Sequence, residues 1–312
     1  MMQTMIVSKI KSLIAALRPY QWLKNVSLYV AIFFGGEINN LHRLSQVSKG
    51  FLIFCMASSA MYLINDVIDA PKDRQHPIKK RRPVASGQIT PQIAIVAAIL
   101  LLAVSLKTSY KLDPSFFLGV LAYFILMLLY NLFLKSISII DALTVAAGFV
   151  VRVFAGALVS NVSISSLLVL TTIFGALFIS FGKRRAEITS LEGTDPSLHR
   201  KTLKQYPVIL IDKYLTISFG SAFLTYSIYT FNYETTKAGG YVATFLPKMF
   251  AQPNWLMLTI PIVFYGMSRY MYLIYAKNEG EAPEKIIATD LPLIITGVLW
   301  SFFTYLTIYF LS

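Results

Sequence analysis

The stretch "FLIFCMASSAMYLINDVIDAPKDRQHPIKKRRP", residues 51–83, passes directly from an uncharged run into a dense cluster of charges. Its second part, 65–83, holds three aspartates and, with His76 included, seven basic residues. An uncharged run of this kind predicts a helix that is buried in lipid or protein, and the charges predict the point where that helix meets water. We therefore expect both the membrane arrangement and the chemistry of the chain to be decided at this boundary.

The composition of the whole chain is that of a protein embedded in lipid. Of its 312 residues, 56% are hydrophobic and 14% are charged, and the mean hydropathy is +0.62. Soluble domains carry about 25% charged residues. A lone cysteine, Cys55, excludes a disulfide within the chain, and with three histidines it is too little for a nitrogen- and sulfur-ligated metal site. We predict an all-α membrane protein in which any metal has oxygen ligands.

Apolar runs separated by helix breakers predict one polytopic membrane domain, 1–312, with about nine transmembrane helices. The predicted spans are approximately 20–36, 48–66, 91–108, 114–134, 138–159, 163–182, 207–230, 254–276 and 290–311. Each approaches the roughly 20 residues that cross a hydrocarbon core. Apolar residues at helical spacing before the first span predict an interfacial helix over 1–17.

The basic residues predict the sidedness of this bundle. Nine spans put the two termini on opposite sides of the membrane. With the N-terminus in the cytoplasm, 19 of the 28 lysines and arginines fall in cytoplasmic segments and six in external loops, as the positive-inside rule requires. This bias explains the net charge of +13 without nucleic-acid binding. We predict a multi-pass protein of the cell membrane whose N-terminus and charged segments 66–90 and 183–206 are cytoplasmic and whose C-terminus is external.

Asn65, Asp66, Asp69 and Asp73 form the strongest chemical motif of the sequence. At helical spacing these residues share one face, although Pro71 removes a helical hydrogen bond before the last of them. Three negative charges on one face repel, and a divalent cation offsets that repulsion. Mg²⁺ typically bridges one or two carboxylates to substrate phosphates. The motif predicts a diphosphate substrate held by Mg²⁺. The alternative is that the acids pair with neighbouring bases in a solvated loop.

The stretch "NDVIDAPKDRQHPIKKRRPVASG", 65–87, resembles the first aspartate-rich motif of the UbiA superfamily of intramembrane prenyltransferases. The resemblance goes further towards one branch, the decaprenyl-phosphate phosphoribosyltransferases. The stretches that carry it are "LRPYQWLKN" at 17–25, "YNLFLKSISIIDALTVAAGFVVRVFAGA" at 130–157, "FGKRRAEI" at 181–188 and "GEAPEKIIATD" at 280–290. A UbiA-like bundle with a catalytic cavity that faces the cytoplasm is implied.

The same resemblance implies an activity and its partners. The reaction is a Mg²⁺-dependent transfer of 5-phosphoribosyl from phosphoribosyl diphosphate (PRPP) to a polyprenyl phosphate such as decaprenyl phosphate. Diphosphate is released, and the product is a precursor of cell-wall arabinan. No nucleic acid takes part, and the sequence allows a homo-oligomer without indicating one.

The second charged segment separates the branches of the superfamily. Its aromatic prenyltransferases usually carry another aspartate pair there, which binds a second magnesium, whereas this chain has Lys183, Arg184, Arg185 and Glu187. Phosphates on a phosphoribosyl donor and on a lipid acceptor require cations such as these. A positive-inside loop explains the same residues without any ligand.

Charges inside or next to the predicted spans complete the candidate site. Inserting an isolated arginine such as Arg152 at the middle of a membrane span costs about 2.5–3.5 kcal/mol. We therefore expect Arg152 to face the bundle interior and to pair with Asp141 or with a residue on a neighbouring helix. Predicted catalytic residues are Asp66, Asp69, Asp73 and Lys135, and Asn65 joins the three aspartates at the metal. Predicted substrate contacts are Lys24, Asn65, Arg74, Lys79, Arg82, Tyr130, Asp141, Arg152, Lys183, Arg184 and Glu187.

Two other functions fit parts of the sequence. A prenyltransferase that joins a prenyl diphosphate to an aromatic acceptor predicts a second acidic pair, which 183–187 does not contain. A lipid-phosphate transporter fits the intramembrane charges Arg152, Asp212 and Asp290, but it predicts spans interrupted by glycine or proline in matching halves. The ends of spans two and six resemble each other weakly and lack such breaks. The sequence therefore favours phosphoribosyl transfer.

Overall fold

The computed structural model describes residues 11–76, 79–189, 207–233, 254–277 and 283–311. All regular elements among these residues are helical. In chain order they are α1 (11–17), a 3-10 helix Pro19–Tyr29, α2 (Val30–Phe34), α3 (Leu41–Asp73), α4 (Pro91–Leu112), α5 (Pro114–Leu132), α6 (Ile140–Ser160), α7 (Ser166–Thr189), α8 (Val208–Phe231), α9 (Ile260–Ala276), α10 (Pro283–Thr289) and α11 (Leu291–Leu306). The predicted all-α fold class is confirmed.

Eight helical segments within the described ranges are long and apolar enough to cross a membrane. They are α3 to α8, α9 together with the 3-10 turn before it, and α11 together with the π-helical turn after it. Polar caps fix where several of them begin: the side chains of Thr90, Asp113 and Asp290 each accept a hydrogen bond from the backbone N–H three residues later. These eight segments correspond to eight of the predicted spans.

The segment predicted as the first span is not one α-helix. Residues Pro19–Tyr29 form a 3-10 helix, which continues as the five-residue α2. A 3-10 helix rises about 2.0 Å per residue against about 1.5 Å in an α-helix, so the two pieces together extend about 30 Å. That length matches the thickness of the hydrocarbon core. The combined axial rise of the two pieces is thus close to that thickness, although the segment is not among the eight candidate spans.

Close packing against α6 and α3 holds this extended segment in place. A Cβ added at Gly156 would lie 1.9 Å from the carbonyl oxygen of Leu28, so only glycine allows the two backbones to approach so closely. On the α3 side, the amide of Asn25 donates a hydrogen bond to Ser58 Oγ at 3.3 Å. Leu28 and Asn25 are both fully buried. The 3-10 helix is therefore fixed by contacts with distant parts of the chain.

Gly156→Ala is expected to destabilise the protein by about 1–3 kcal/mol, because the added methyl group meets a backbone oxygen that no rotamer change can move. Gly175→Ala is the matched control, since a Cβ at Gly175 on α7 meets nothing within 4 Å. Alanine favours a helix over glycine by up to about 1 kcal/mol, so this control should not be less stable than wild type. Thermal unfolding in detergent measures both. Equal melting temperatures for Gly156→Ala and wild type would contradict the packing argument.

Helix α3 is longer than predicted and carries the aspartate motif. It runs for 33 residues, from Leu41 to Asp73, and Pro71 does not end it. Beyond the proline, the N–H of Arg74 still bonds to the carbonyl of Ala70 at 3.1 Å. The motif 65–73 therefore lies entirely on one α-helix, and its polar residues share a face as the spacing predicts.

The described part of the predicted N-terminal helix is α1, and residues 1–10 lie outside the described ranges. Ala16 of α1 is buried in one apolar cluster with Val84 and Ile89. Ser12 Oγ also donates a hydrogen bond to Gln88 Oε1 at 2.9 Å. Helix α1 thus packs on the loop that follows the aspartate motif and holds that loop against the bundle.

Candidate active site

A cavity of about 190 Å³ lies between the 3-10 helix, α3, α5, α6 and α7. Six cationic side chains line it: Arg18, Lys24, Arg82, Arg152, Lys183 and Arg184. Aromatic rings contribute much of the remaining wall: Tyr62, Tyr123, Tyr130 and Phe149. No aspartate or glutamate is among the described lining residues, although Asn65 is. The cavity therefore presents cationic groups to which an anionic ligand could bind, and it brings together the two charged segments of the sequence.

Asp66 and Asp73 on α3 share the guanidinium of Arg82. Its Nη1 lies 2.6 Å from Asp73 Oδ2 and 3.5 Å from Asp66 Oδ1. Arg18 donates a second contact to the same oxygen of Asp66, and its guanidinium lies 5.2 Å from the centre of the Tyr62 ring. Both aspartates are buried. The sequence predicted Arg82 at the site but not Arg18. The one feature of the sequence that could have indicated Arg18 is its position in the stretch 17–25, which carries part of the family resemblance.

Lys135 joins the remaining two residues of the motif. Its Nζ donates to Asn65 Oδ1 at 3.2 Å and to Asp69 Oδ1 at 2.7 Å. Lys135 belongs to a short 3-10 turn, Leu134–Ser136, which directly follows α5. The predicted grouping of these three side chains is therefore present in the structure. Each aspartate of the motif has a basic partner from another part of the chain.

The motif has the donor atoms that Mg²⁺ requires, but they are neutralised by bases. Within the described ranges, the His, Cys, Asp and Glu side chains form no group of three that could hold a metal ion. Asp66 Oδ2 is nevertheless buried, and no hydrogen-bond partner for it is present in the described part of the chain. A buried carboxylate oxygen without a donor is costly, and a hard cation would satisfy it. The residues fit Mg²⁺, provided that Arg82 and Lys135 turn to other anions.

Arg184 links α7 to α6 through a buried ion pair. Its Nε lies 3.0 Å from Asp141 Oδ2, and it also pairs with Glu187 one turn later on α7. The side chain of Arg184 is 2% exposed and that of Asp141 is 0% exposed. Two carboxylates therefore surround this one guanidinium. Arg184, which the sequence predicts to contact substrate, lines the cavity, but its charge is already compensated.

Arg152 is buried, as predicted, but Asp141 is not its partner. The two residues are three turns apart on α6, which is about 16 Å along the axis and too far for an ion pair. Arg152 Nε instead donates to Asn25 Oδ1, Nη1 to the carbonyl of Gly148 and Nη2 to the hydroxyl of Tyr123, each at 2.9 Å. These partners are all neutral, so among the described residues Arg152 brings a positive charge without a counter-ion to the cavity wall.

Helix α10 adds a carboxylate that sequence reasoning missed. Glu284 is buried, accepts a hydrogen bond from the amide of Gln21, and lies 3.5 Å from Lys24 Nζ. Burial alone would raise the pKa of Glu284, but the charge of Lys24, hydrogen bonds and Lys183 outweigh it and hold that pKa below its ordinary value. Glu284 is thus ionised at neutral pH. Glu284 lies in the stretch 280–290, which carries part of the family resemblance, but nothing in that stretch predicts its contacts with Gln21 and Lys24.

The remaining predicted contacts divide into two groups. Tyr130 and Lys183 line the cavity. Arg74 is exposed and Lys79 is half-buried, and neither belongs to the cavity wall. Residues 77–78 and 190–206, which belong to the two predicted cytoplasmic segments, lie outside the described ranges.

The UbiA prenyltransferase family matches residues 26–291. This chain belongs to the UbiA prenyltransferase family. It is 30% identical over 295 residues to the decaprenyl-phosphate phosphoribosyltransferase of Mycobacterium tuberculosis, an alignment that covers 93% of this chain and 92% of the relative. A protein of the same name from Corynebacterium glutamicum is 30% identical over 303 residues, which cover 95% of this chain and 86% of the relative.

The fold of this UbiA family member is also found in a solved structure. A UbiA homolog from Archaeoglobus fulgidus, bound to DMAPP and Mg²⁺, superposes with a TM-score of 0.67 at 19% identity, over 95% of this chain and 99% of that chain. At that identity the similarity shows the fold alone. The predicted UbiA-like bundle, the transferase class and the multi-pass membrane character are confirmed.

Proposed function

We propose that this UbiA family member transfers 5-phosphoribosyl from PRPP to a polyprenyl phosphate, such as decaprenyl phosphate, and releases diphosphate. The observation that carries this proposal is the cavity wall with six cationic side chains beside the aspartate helix. The reaction involves three phosphate positions: the leaving diphosphate, the 5-phosphate of ribose and the phosphate of the lipid. A prenyl diphosphate with an uncharged aromatic acceptor needs far fewer cations. The names of two relatives that align with this chain over most of their length support the same assignment.

The donor would bind at the face of α3 that carries the side-chain oxygens of the aspartate motif. Asn65, Asp66, Asp69 and Asp73 would hold Mg²⁺, which when bound neutralises charge on the departing diphosphate. Lys135 lies 2.7 Å from the carboxylate of Asp69 and would exchange that contact for a diphosphate oxygen. Arg82 would make the same exchange near Asp73. The bases that neutralise the aspartates would thus become ligands of the donor.

The chemical step requires positioning more than proton transfer. As the bond between ribose C1 and the diphosphate oxygen breaks, the diphosphate takes the electron pair and the ribose gains oxocarbenium character. A phosphate oxygen of the lipid attacks C1 from the opposite face. This oxygen is already anionic, so no strong general base is needed. Lys183 on the cavity wall would orient the lipid phosphate, and orientation of this kind supplies much of the acceleration.

The cavity would open to the cytoplasm, because 19 cationic residues fall on that side of the predicted topology and six on the other. PRPP is highly charged and would enter from water, whereas the polyprenyl tail would stay in the bilayer. The protein would thus act at the cytoplasmic face of the cell membrane, with an external C-terminus.

Single cysteines should report this sidedness. Ser86 and Ser163 are exposed in loops at opposite ends of the predicted bundle, and Cys55 is replaced by serine first. In intact cells, an impermeant maleimide should label Ser163→Cys but not Ser86→Cys, and it should label both after the membrane is opened. Labelling of Ser86→Cys alone in intact cells would reverse the topology and move the cavity to the external side.

The proposed activity is tested with purified full-length protein in liposomes that contain a polyprenyl phosphate. With Mg²⁺ and PRPP labelled in the ribose, label should move into the lipid fraction. Liposomes without the polyprenyl phosphate provide the control, because PRPP hydrolysis alone leaves the label in water. Label that remains water-soluble while Mg²⁺, donor and acceptor are all present would reject the proposal.

A further inference from the structure

Arg152 lines the cavity and contacts none of the three aspartates of α3 among the described contacts. It is 4% exposed, and its Nε donates to Asn25 Oδ1. Asn25 in turn bonds to Ser58 on α3, which precedes Asp66 by more than two turns, or about 12 Å along the helix. Asn25, which holds the guanidinium of Arg152, thus contacts α3 about two helical turns before the aspartates begin.

The charge of Arg152 has no counter-ion in the described part of the chain. A guanidinium remains protonated in proteins, so burial does not remove this charge. The rings of Tyr123 and Phe149 lie 4.6 Å and 5.4 Å from it and stabilise the cation without neutralising it. Arg184, by contrast, contacts two carboxylates. A buried cation without a counter-ion is costly, so an anionic ligand is expected beside Arg152.

The hydrogen bonds of Arg152 leave a matched pair of donors. A guanidinium has five N–H groups. Three of them donate to Asn25, the carbonyl of Gly148 and Tyr123. Among the described residues no acceptor contacts the other two N–H groups, one on Nη1 and one on Nη2, so two donors remain for the oxygens of a phosphate.

We propose that Arg152 binds the 5-phosphate of the phosphoribosyl donor, and that Asn25 and Tyr123 are positioning residues which orient its guanidinium. The inference rests on the proposed function. The diphosphate and the 5-phosphate of PRPP stand on opposite sides of the ribose ring. With the diphosphate at the aspartates, the 5-phosphate points away from them, whereas the lipid phosphate must stay near C1. Arg152 then selects donors with a second phosphate, because a prenyl diphosphate leaves its charge uncompensated.

Donor preference tests this assignment. In wild type, kcat/KM for PRPP should exceed that for ribose 1-diphosphate, which lacks the 5-phosphate, by about ten- to a hundredfold. Arg152→Gln should bring the two values together by lowering only the value for PRPP. Arg152→Lys should keep part of the preference. Equilibrium binding of PRPP without acceptor should weaken in parallel, and the KM of the polyprenyl phosphate should not change.

Further variants keep the test decisive. Arg269→Gln is the matched control: Arg269 also lies in a membrane span but pairs with Asp290 and does not line the cavity, so the preference should persist. If Arg152→Gln does not fold, Tyr123→Phe removes one orienting hydroxyl and should still lower the preference several-fold. Equal loss with both donors, or a change only in the KM of the acceptor, would overturn the assignment. Absence of transfer from PRPP by wild type would instead refute the proposed function itself.

Discussion

Asp66→Asn is expected to lower phosphoribosyl transfer by about three orders of magnitude while the protein stays folded. Asp66 contributes the buried oxygen that has no hydrogen-bond partner among the described residues, and its other oxygen contacts Arg18 and Arg82. Asparagine keeps the shape but removes the charge that would hold Mg²⁺ and the diphosphate. Loss of several kcal/mol of charge stabilisation in the transition state corresponds to a factor of this size. Transfer of label to lipid and thermal unfolding measure the two effects separately.

A matched substitution shows whether the effect belongs to the site. Asp212 also lies on a transmembrane helix and accepts from Arg185 at 2.8 Å and from the hydroxyl of Tyr275 at 2.7 Å, but it does not line the cavity. Asp212→Asn should therefore leave transfer within about threefold of wild type, in line with a half-exposed ion pair. Excess chelator should stop wild-type transfer, and added Mg²⁺ should restore it. Near-normal transfer by Asp66→Asn would remove the aspartate helix from the mechanism.

Arg184→Ala should prevent stable folding, with a loss of about 3–5 kcal/mol, because it leaves the fully buried carboxylate of Asp141 without its cation. Lys183→Ala, one residue earlier on the same cavity wall, should instead melt close to wild type. Its effect should be on substrate binding, which we expect to weaken about ten- to a hundredfold. Neighbouring cations that look alike in the sequence are thus predicted to have different roles.

A double substitution separates the two roles of the buried pair. Asp141→Asn combined with Arg184→Gln removes both charges and should recover much of the stability that Arg184→Ala loses, since no buried charge is left alone. Thermal unfolding in detergent gives the melting temperatures of wild type, Arg184→Ala and the double variant. A normal melting temperature for Arg184→Ala, together with weak substrate binding, would instead identify Arg184 as a substrate ligand.

Local spacing predicted the aspartate face but not its partners. Asn65, Asp66, Asp69 and Asp73 share a face because helix geometry alone places them there, and Pro71 does not change that. Which residues form ion pairs depends on how far along its helix each charged side chain lies within the bundle. Arg152 and Asp141 are three helical turns apart on α6 and cannot pair. Only the packing of α7 against α6 shows that Asp141 pairs with Arg184 instead.

Long-range contacts account for what the sequence did not show. The 3-10 form of the first segment depends on Gly156, which lies far along the chain and has no local signal for this role. Gln21 on the cavity wall and Glu284 are separated by 263 positions and are joined by a hydrogen bond. Such contacts come from the tertiary arrangement of the helices, so periodicity and local motifs cannot predict them.

A competition between donors distinguishes phosphoribosyl transfer from aromatic prenylation in a single assay. Protein in liposomes is given PRPP, a prenyl diphosphate, a polyprenyl phosphate, an aromatic acid and Mg²⁺ in one mixture, and the products are identified by mass. We expect the polyprenyl phosphate to gain one phosphoribosyl group for each diphosphate released, and the aromatic acid to be unchanged. A prenylated aromatic acid with no phosphoribosylated lipid would refute phosphoribosyl transfer and assign the protein to the aromatic prenyltransferases of its family.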